Sequence, residues 1–134
     1  IDMVGSLKTR SRVSLLGYVH NAELNQLISK ANLLVLPSIT KAEAFGLVML
    51  EAQAHGVPSV CFNIPGSGVS FANKHNVTGY NAKPFDYDEL VYYINHVLEK
   101  KPFVKKVLID HHSKYFSDSA VKRIWLHYMK NIIL

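Results

Sequence analysis

One cysteine, Cys61, is too few for an intrachain disulfide, so the fold must hold by packing and hydrogen bonds. No apolar run approaches the roughly 20 residues needed to cross a bilayer. No secretory leader is expected from the residues given, and neither an internal repeat nor a low-complexity segment interrupts them. The histidines His20, His55, His75, His96, His111, His112 and His127 fall without a recognisable ligand spacing, so no metal is implied. Acids are the scarcer charge: 10 Asp and Glu stand against 15 Lys and Arg, a net +5. The basic residues gather near Lys8, Arg10 and Arg12, and again at Lys100, Lys101, Lys105, Lys106, Lys114, Lys122 and Arg123. Such clusters read first as a solvated helix face, with anionic headgroups or a phosphate-bearing ligand as the functional alternatives. Nucleic acid is disfavoured as a partner, because the aromatics fall on apolar helix stripes and are not interleaved with the basic residues.

What is present describes an ordinary globular domain. With 134 residues, 49% hydrophobic and 19% charged, the chain is long enough for one core and is expected to be a single unit, 1–134. It opens on Ile1 with no initiator Met, which fits a piece of a longer protein and equally fits N-terminal processing. Runs at 13–16, 33–36 and 58–62 read as strands, the second covered on both faces, and 78–82 as a short final strand leading to Pro84. Between them, Asn21 is placed to cap a helix over 22–30 that buries Leu24, Leu27 and Ile28. A short helix is expected near 69–74. Asp86 caps a helix over 87–100 with Leu90, Val91, Ile94, Val97 and Leu98 inward, and Pro102 sits in the first turn of a helix over 102–115. Ser117 caps a last helix carrying Val121, Ile124, Trp125, Tyr128 and Met129. Alternating strands and helices predict an α/β fold, a parallel sheet with helices on both faces. In such sheets ligands bind beyond the carboxyl ends of the strands. That rule puts Gly17 and Tyr18, residues 37–46 and residues 63–68 on one rim. Cys61, inside an expected strand, reads as a buried and inert thiol.

One stretch concentrates chemistry. Lys41 to Gly56 reads Lys-Ala-Glu-Ala-Phe-Gly-Leu-Val-Met-Leu-Glu-Ala-Gln-Ala-His-Gly, with seven residues between Glu43 and Glu51. Leu47, Val48, Met49 and Leu50 with Ala52 and Ala54 predict a short buried helix, stopped by Gly56 and Pro58. Gly46 lets a ligand approach where the first helical amides lack partners, a ready seat for phosphate. Glu51 would lie roughly 7–8 Å along the axis, at 1.5 Å per residue. A diphosphate with a hydroxyl-rich group at each side would match two ionised carboxylates so placed. The plainer alternative makes Glu43 a solvated loop charge and Glu51 a surface position on an amphipathic helix.

The order of motifs decides between these. Leu36-Pro37-Ser38, then Glu43 to Ala52, then Gly56-Val57-Pro58-Ser59-Val60 resembles the Glu-x7-Glu signature of retaining glycosyltransferases of the GT-B architecture, the glycosyltransferase group 1 family. Upstream, Val13 to Val19 with Glu23-Leu24 looks like that family's strand, loop and helix. Downstream, Pro65-Gly66-Ser67-Gly68-Val69 and Asn76-Val77-Thr78-Gly79 look like its Gly-rich loop and Thr-Gly turn. The resemblance covers about 13–100 and implies the Rossmann-like carboxyl-terminal half of a GT-B fold. It implies that Glu43 holds donor-sugar hydroxyls as the catalytic carboxylate, and that Phe45, Gly46 and Leu47 contact sugar and diphosphate. Glu51 would hold the ribose, Gly17, Tyr18 and Val19 would border the base, and Gly66, Ser67 and Gly68 would line the cleft near the sugar.

The implied activity is transfer of a hexose from a nucleotide-diphosphate sugar, such as a UDP- or GDP-sugar, to an acceptor hydroxyl with retention. No cofactor is implied beyond that substrate. The family's diphosphate-holding Arg and Lys have no assured counterpart here, Lys8 and Arg10 being weak candidates. Phe71 stands where many relatives carry a Glu, and the run from Gly66 to Phe71 looks like a bacterial polysaccharide-type subgroup. Polysaccharide or cell-envelope glycan synthesis is the expected context, in the cytoplasm or at the inner face of the membrane. The glycan or lipid-linked acceptor would be held by a missing amino-terminal domain, so the chain alone should bind donor weakly and turn over nothing. Residues 101–134 would pack back on that domain, which would make Trp125 and Tyr128 an interdomain contact; an aromatic core stripe is the ordinary alternative. Rivals in other classes are a nucleotide-sugar epimerase domain and a non-catalytic nucleotide-sugar or anion-binding module.

Overall fold

The computed structural model describes residues 13–133, so the expectations for 1–12, including Lys8 and Arg10, lie outside the described residues. The chain forms α1 (Asn21–Lys30), β1 (Leu34–Leu36), α2 (Leu47–Ala54), β2 (Ser59–Phe62) and α3 (Val69–Ala72). It continues with β3 (Gly79–Ala82), α4 (Tyr87–Lys100), α5 (Lys105–Tyr115) and α6 (Asp118–Ile133). The strands are parallel in the order β1-β2-β3, with Leu34 opposite Ser59 and Ser59 opposite Gly79. Parallel neighbours need a crossover between them. Here α2 makes the first crossover and α3 the second, which gives the expected Rossmann-like sheet. No helix among the described residues is long and apolar enough to cross a membrane.

Strand β2 is buried at all four positions, and alternation sends its side chains to both faces. Phe62 meets Tyr87 of α4 edge-on at 5.4 Å between ring centres, and on the same face Tyr80 stacks on Tyr93 at 4.6 Å. On the other face Cys61 points its thiol at the Asn81 Oδ1, 3.2 Å away. Met49 of α2, Val69 and Ala72 of α3 and Leu90 and Val97 of α4 complete the buried cluster.

A polar clamp lies within this apolar setting. Asn73, fully buried just past α3, donates through Nδ2 to the Asn81 Oδ1 at 2.8 Å and lies 3.2 Å from the carbonyl oxygens of Ser59 and Tyr80. The Thr78 hydroxyl donates to the Asn73 Oδ1 at 3.1 Å and accepts from the Lys74 amide at 2.8 Å. The Asn81 side chain returns a bond to the Asn73 carbonyl at 2.9 Å. One side chain thus ties α3, β2, the turn before β3 and β3 itself. Gly79 is required beside it, because a Cβ there would run into the Ser59 carbonyl oxygen and stand 2.6 Å from the Asn73 Oδ1.

Several expectations need correction. Residues 13–16 form no strand: Val13, Leu15 and Leu16 are exposed, with no described strand beside them to pair with. Val35 of β1 is exposed, so that strand is not covered on both faces. Asn21 lies inside α1; His20 occupies the cap position, and its carbonyl accepts from the Leu24 amide at 2.9 Å. Leu27, Val91 and Leu98 face outward, because their helices present only one narrow side to the sheet. Pro102 is not helical: Lys101 closes α4 in the left-handed region at φ 47°, the chain leaves extended, and α5 starts only at Lys105. Asp86 does cap α4, accepting the Glu89 amide at 2.9 Å, and Ser117 accepts the Ala120 amide at 3.2 Å. On α6 the stripe Val121, Ile124, Trp125, Tyr128 and Met129 is exposed, Trp125 by 65%, so it is no core stripe of the described domain.

Two outcomes follow from this packing. Burial pushes the Cys61 thiol up to about 11, partly offset by the hydrogen bond from Asn73. Cys61 should therefore resist alkylation at pH 8 in the native state and react stoichiometrically in denaturant, as mass spectrometry would show. Asn73→Ala should cost about 2 kcal/mol or more, read from urea unfolding, since it removes a buried donor to the Asn81 Oδ1 and to the Ser59 and Tyr80 carbonyls, and the acceptor of the Thr78 hydroxyl.

Candidate functional site

The loops that leave β1 and β2 at their carboxyl ends, residues 37–46 and 63–68, form the rim where a parallel sheet takes its ligands. Gly46 shapes the first. It lies in the left-handed region at φ 76°, and a Cβ there would collide with the Met49 methyl and come within 3.3 Å of the Leu36 Cδ2. From that turn the chain enters α2, whose Leu47 and Val48 amides have no acceptor within the helix. The half-buried Glu43 turns back to this start, its Oε1 accepting from the Gly46 amide at 3.0 Å.

Leu47 is 66% exposed, and Glu51, four residues on, shares its outward face. Glu51 lines a cleft of about 190 Å³ with Asn21, Leu24 and Asn25 of α1. The segment expected to border a base runs directly into that helix. Gly17 makes a left-handed turn at φ 65°, Tyr18 is 86% exposed with its ring 5.3 Å from His20, and Val19 is half-buried. The Glu51 cleft includes neither Glu43 nor Gly46. Both acids are thus set by α2, one at its entry and one on its outer face, without sharing that cavity.

The second loop is fastened to the first. The Gly68 amide donates to the Ala44 carbonyl at 2.6 Å, and the Phe45 ring covers Gly68 so closely that any side chain there would strike it. Phe45 also packs 6.0 Å from Phe71 and 6.4 Å from Phe116. The Ser67 hydroxyl donates to the Ile64 carbonyl at 3.2 Å and accepts from the Val69 amide at 3.3 Å. Ser67 and Gly68 thus spend these groups on holding the loop, and the exposed Gly66, at φ 77°, is the part turned outward. Sequence reasoning missed Leu24 and Asn25 as neighbours of Glu51, and it used Asn21 only as a cap. It also missed Lys41, whose side chain lies against Gly66, although a cation two residues before Glu43 was a readable signal.

Comparison with known proteins bears on the family of the chain. A family model described as "Glycosyl transferases group 1" matches residues 1–112. An uncharacterized glycosyltransferase of Methanocaldococcus jannaschii is 32% identical over 125 residues, covering 90% of this chain and 31% of its own length. A glycogen synthase of Mycobacterium tuberculosis is 35% identical over 99 residues, 74% of this chain and 23% of the relative. The N-acetyl-alpha-D-glucosaminyl L-malate synthase of Bacillus anthracis is 35% identical over 80 residues, 60% of this chain and 19% of the relative. The chain therefore spans less than a third of the length of these curated relatives.

Gly46→Ala tests how far the rim depends on its turn. Left-handed strain on an alanine, together with displacement of the Met49 methyl, should lower stability by about 2 kcal/mol or more in urea unfolding.

Proposed function

Because the chain belongs to the group 1 glycosyl transferases, we propose that it forms the donor-binding, carboxyl-terminal domain of a retaining hexosyltransferase whose donor is a nucleotide-diphosphate sugar. The observation that carries the reading is the start of α2: a glycine-opened turn with Glu43 bound across it and Glu51 one further turn along, beside α1. Ionised carboxylates only accept hydrogen bonds, so each acid suits paired hydroxyls. Glu51, between Asn21 and Asn25, would take the ribose hydroxyls, with Gly17, Tyr18 and Val19 along the base. Glu43 commits Oε1 to the Gly46 amide, which leaves Oε2 for a sugar hydroxyl and fixes its direction.

In the transfer, the bond between the anomeric carbon and the diphosphate oxygen breaks with its electron pair left on that oxygen. The acceptor oxygen then bonds to the carbon on the same face and passes its hydroxyl proton to the departing diphosphate. Charge gathers on the departing diphosphate, where the free amides of Leu47 and Val48 and the positive end of the helix are fixed in advance. Phe45 and Gly66 to Gly68 would border the sugar. Support for the Glu-x7-Glu assignment is the spacing together with this geometry, and support for the family is the match over 1–112. The acceptor, a glycan or lipid-linked sugar, would be held by a separate amino-terminal domain. Polysaccharide or cell-envelope synthesis in the cytoplasm, at times against the membrane through the basic carboxyl-terminal helices, is the context the motif order favours.

Calorimetric titration of the purified chain with UDP, GDP, ADP and a short oligonucleotide tests the reading. One nucleoside diphosphate should bind and the oligonucleotide should not, and Glu51→Ala should weaken the nucleotide at least about tenfold with the thermal transition unchanged. Equal affinity of the variant for the nucleotide, or binding of the oligonucleotide alone, would overturn it.

A further inference from the structure

Beside the Gly-rich loop lies a cavity that the donor reading does not use. It measures about 300 Å³ and is lined by Ser70, Phe71 and Lys74 from α3 and the turn after it, and by His111, Tyr115 and Phe116 from the end of α5. Its two walls are joined: the Phe71 and Phe116 rings meet edge-on at 5.7 Å, and Phe116 lies 5.9 Å from the His111 ring. Phe45, whose ring covers Gly68, packs against both Phe71 and Phe116. The cavity and the rim loops therefore share one aromatic partition. Phe71 remains 67% exposed although it touches two other rings, and Tyr115 is exposed as well.

The polar lining has one sign of charge. The titratable groups that bear on His111 are Lys74, Lys114 and His112, with no carboxylate among them, and burial together with these cations holds its imidazole below the usual histidine range. Lys114 itself lies with its Nζ 4.9 Å from the centre of the Tyr115 ring. The His111 Nδ1 is buried and has no partner among the described residues. With no acceptor in reach, the neutral ring keeps that nitrogen bare and carries its proton on Nε2, which makes Nε2 a donor.

Ligand sites are mostly apolar, with a few polar groups that fix orientation. The electron-rich face of an aromatic ring suits the C–H face of a sugar. An ammonium and an imidazole N–H only donate, so together they suit a phosphate or carboxylate oxygen. A cationic lining without an acid draws anions and repels cations. Resting on the donor-site reading, we propose that this cavity is an acceptor subsite for an anionic sugar, a hexose that bears a phosphate or a carboxylate. The sugar ring lies on Phe71, its anionic group meets Lys74 and His111, and the Phe45 partition sets it next to the loops assigned to the donor sugar. This chain then holds one unit of the acceptor and the amino-terminal domain the rest.

Calorimetry and NMR of the purified chain test this with glucose, glucose 6-phosphate, glucuronate and inorganic phosphate, and with UDP, GDP and ADP as probes of the donor site. Glucose 6-phosphate or glucuronate should bind and shift the His111 ring resonances, with glucose and inorganic phosphate each at least about tenfold weaker. Lys74→Ala should weaken the anionic sugar about tenfold and leave the bound diphosphate within about twofold, Lys74→Arg should recover most of the loss, and both should melt with wild type. Inorganic phosphate bound as tightly as the anionic sugar would mean an adventitious ion only, and glucose bound as tightly would remove the role of the cations; either overturns the proposal. If a diphosphate binds and is lost in Glu51→Ala while neither anionic sugar binds, the donor site stands and the subsite falls. An anionic sugar bound at His111 with no diphosphate bound anywhere would overturn the donor reading, and the acceptor role with it.

Discussion

The buried carboxamide of Asn73 sets the terms for the rest of the domain. The three short parallel strands among the described residues have few ladder bonds of their own, and the close pass of β3 beside β2 depends on Gly79 having no side chain. Asn73 fills the space next to that pass and distributes bonds to β2, β3 and the Thr78 turn. Burying so polar a group is costly unless every member of its network is satisfied. Here its oxygen and nitrogen both find partners, and the strands are held in one register. The carboxyl ends of β1 and β2, from which both rim loops depart, inherit that register.

The rim shows a division of labour that residue identity alone would hide. Some groups that look like ligand contacts are spent on architecture: the Gly68 amide on Ala44, and the Ser67 hydroxyl on Ile64 and Val69. Others that look incidental are turned outward, such as Gly66 and the Lys41 stem across it. Glu43 stands between these roles, half committed to the Gly46 amide and half free. Preorganisation of this kind matters for a leaving group that gains charge, because dipoles already fixed need not reorganise as the charge appears.

Much of this was legible in the sequence because the informative signals were local. The helix 47–54 follows from its own apolar run and the Gly46 and Gly56 bounds, and α4 starts where Asp86 can cap it. The failures were of another kind. Residues 13–16 have strand composition, yet a strand exists only beside a partner, and composition does not report partners. Pro102 suits a helix start, but the left-handed Lys101 before it decided where the chain went. Val91 and Leu98 fit the helical period while lying on the wrong edge of it, since period gives an angle and not the width of the covered face. Asn73, Asn81 and Lys41 escaped notice because their meaning comes from contacts 5 to 25 residues away that follow no helical or strand period.

The outermost helix adds a practical property. Trp125 is the only tryptophan in the chain, and its side chain stands in water on α6. An indole in that setting emits toward the red, and anything that settled over it would move the emission toward the blue. The molecule thus carries a single indole reporter, tuned to whatever comes to cover its last helix.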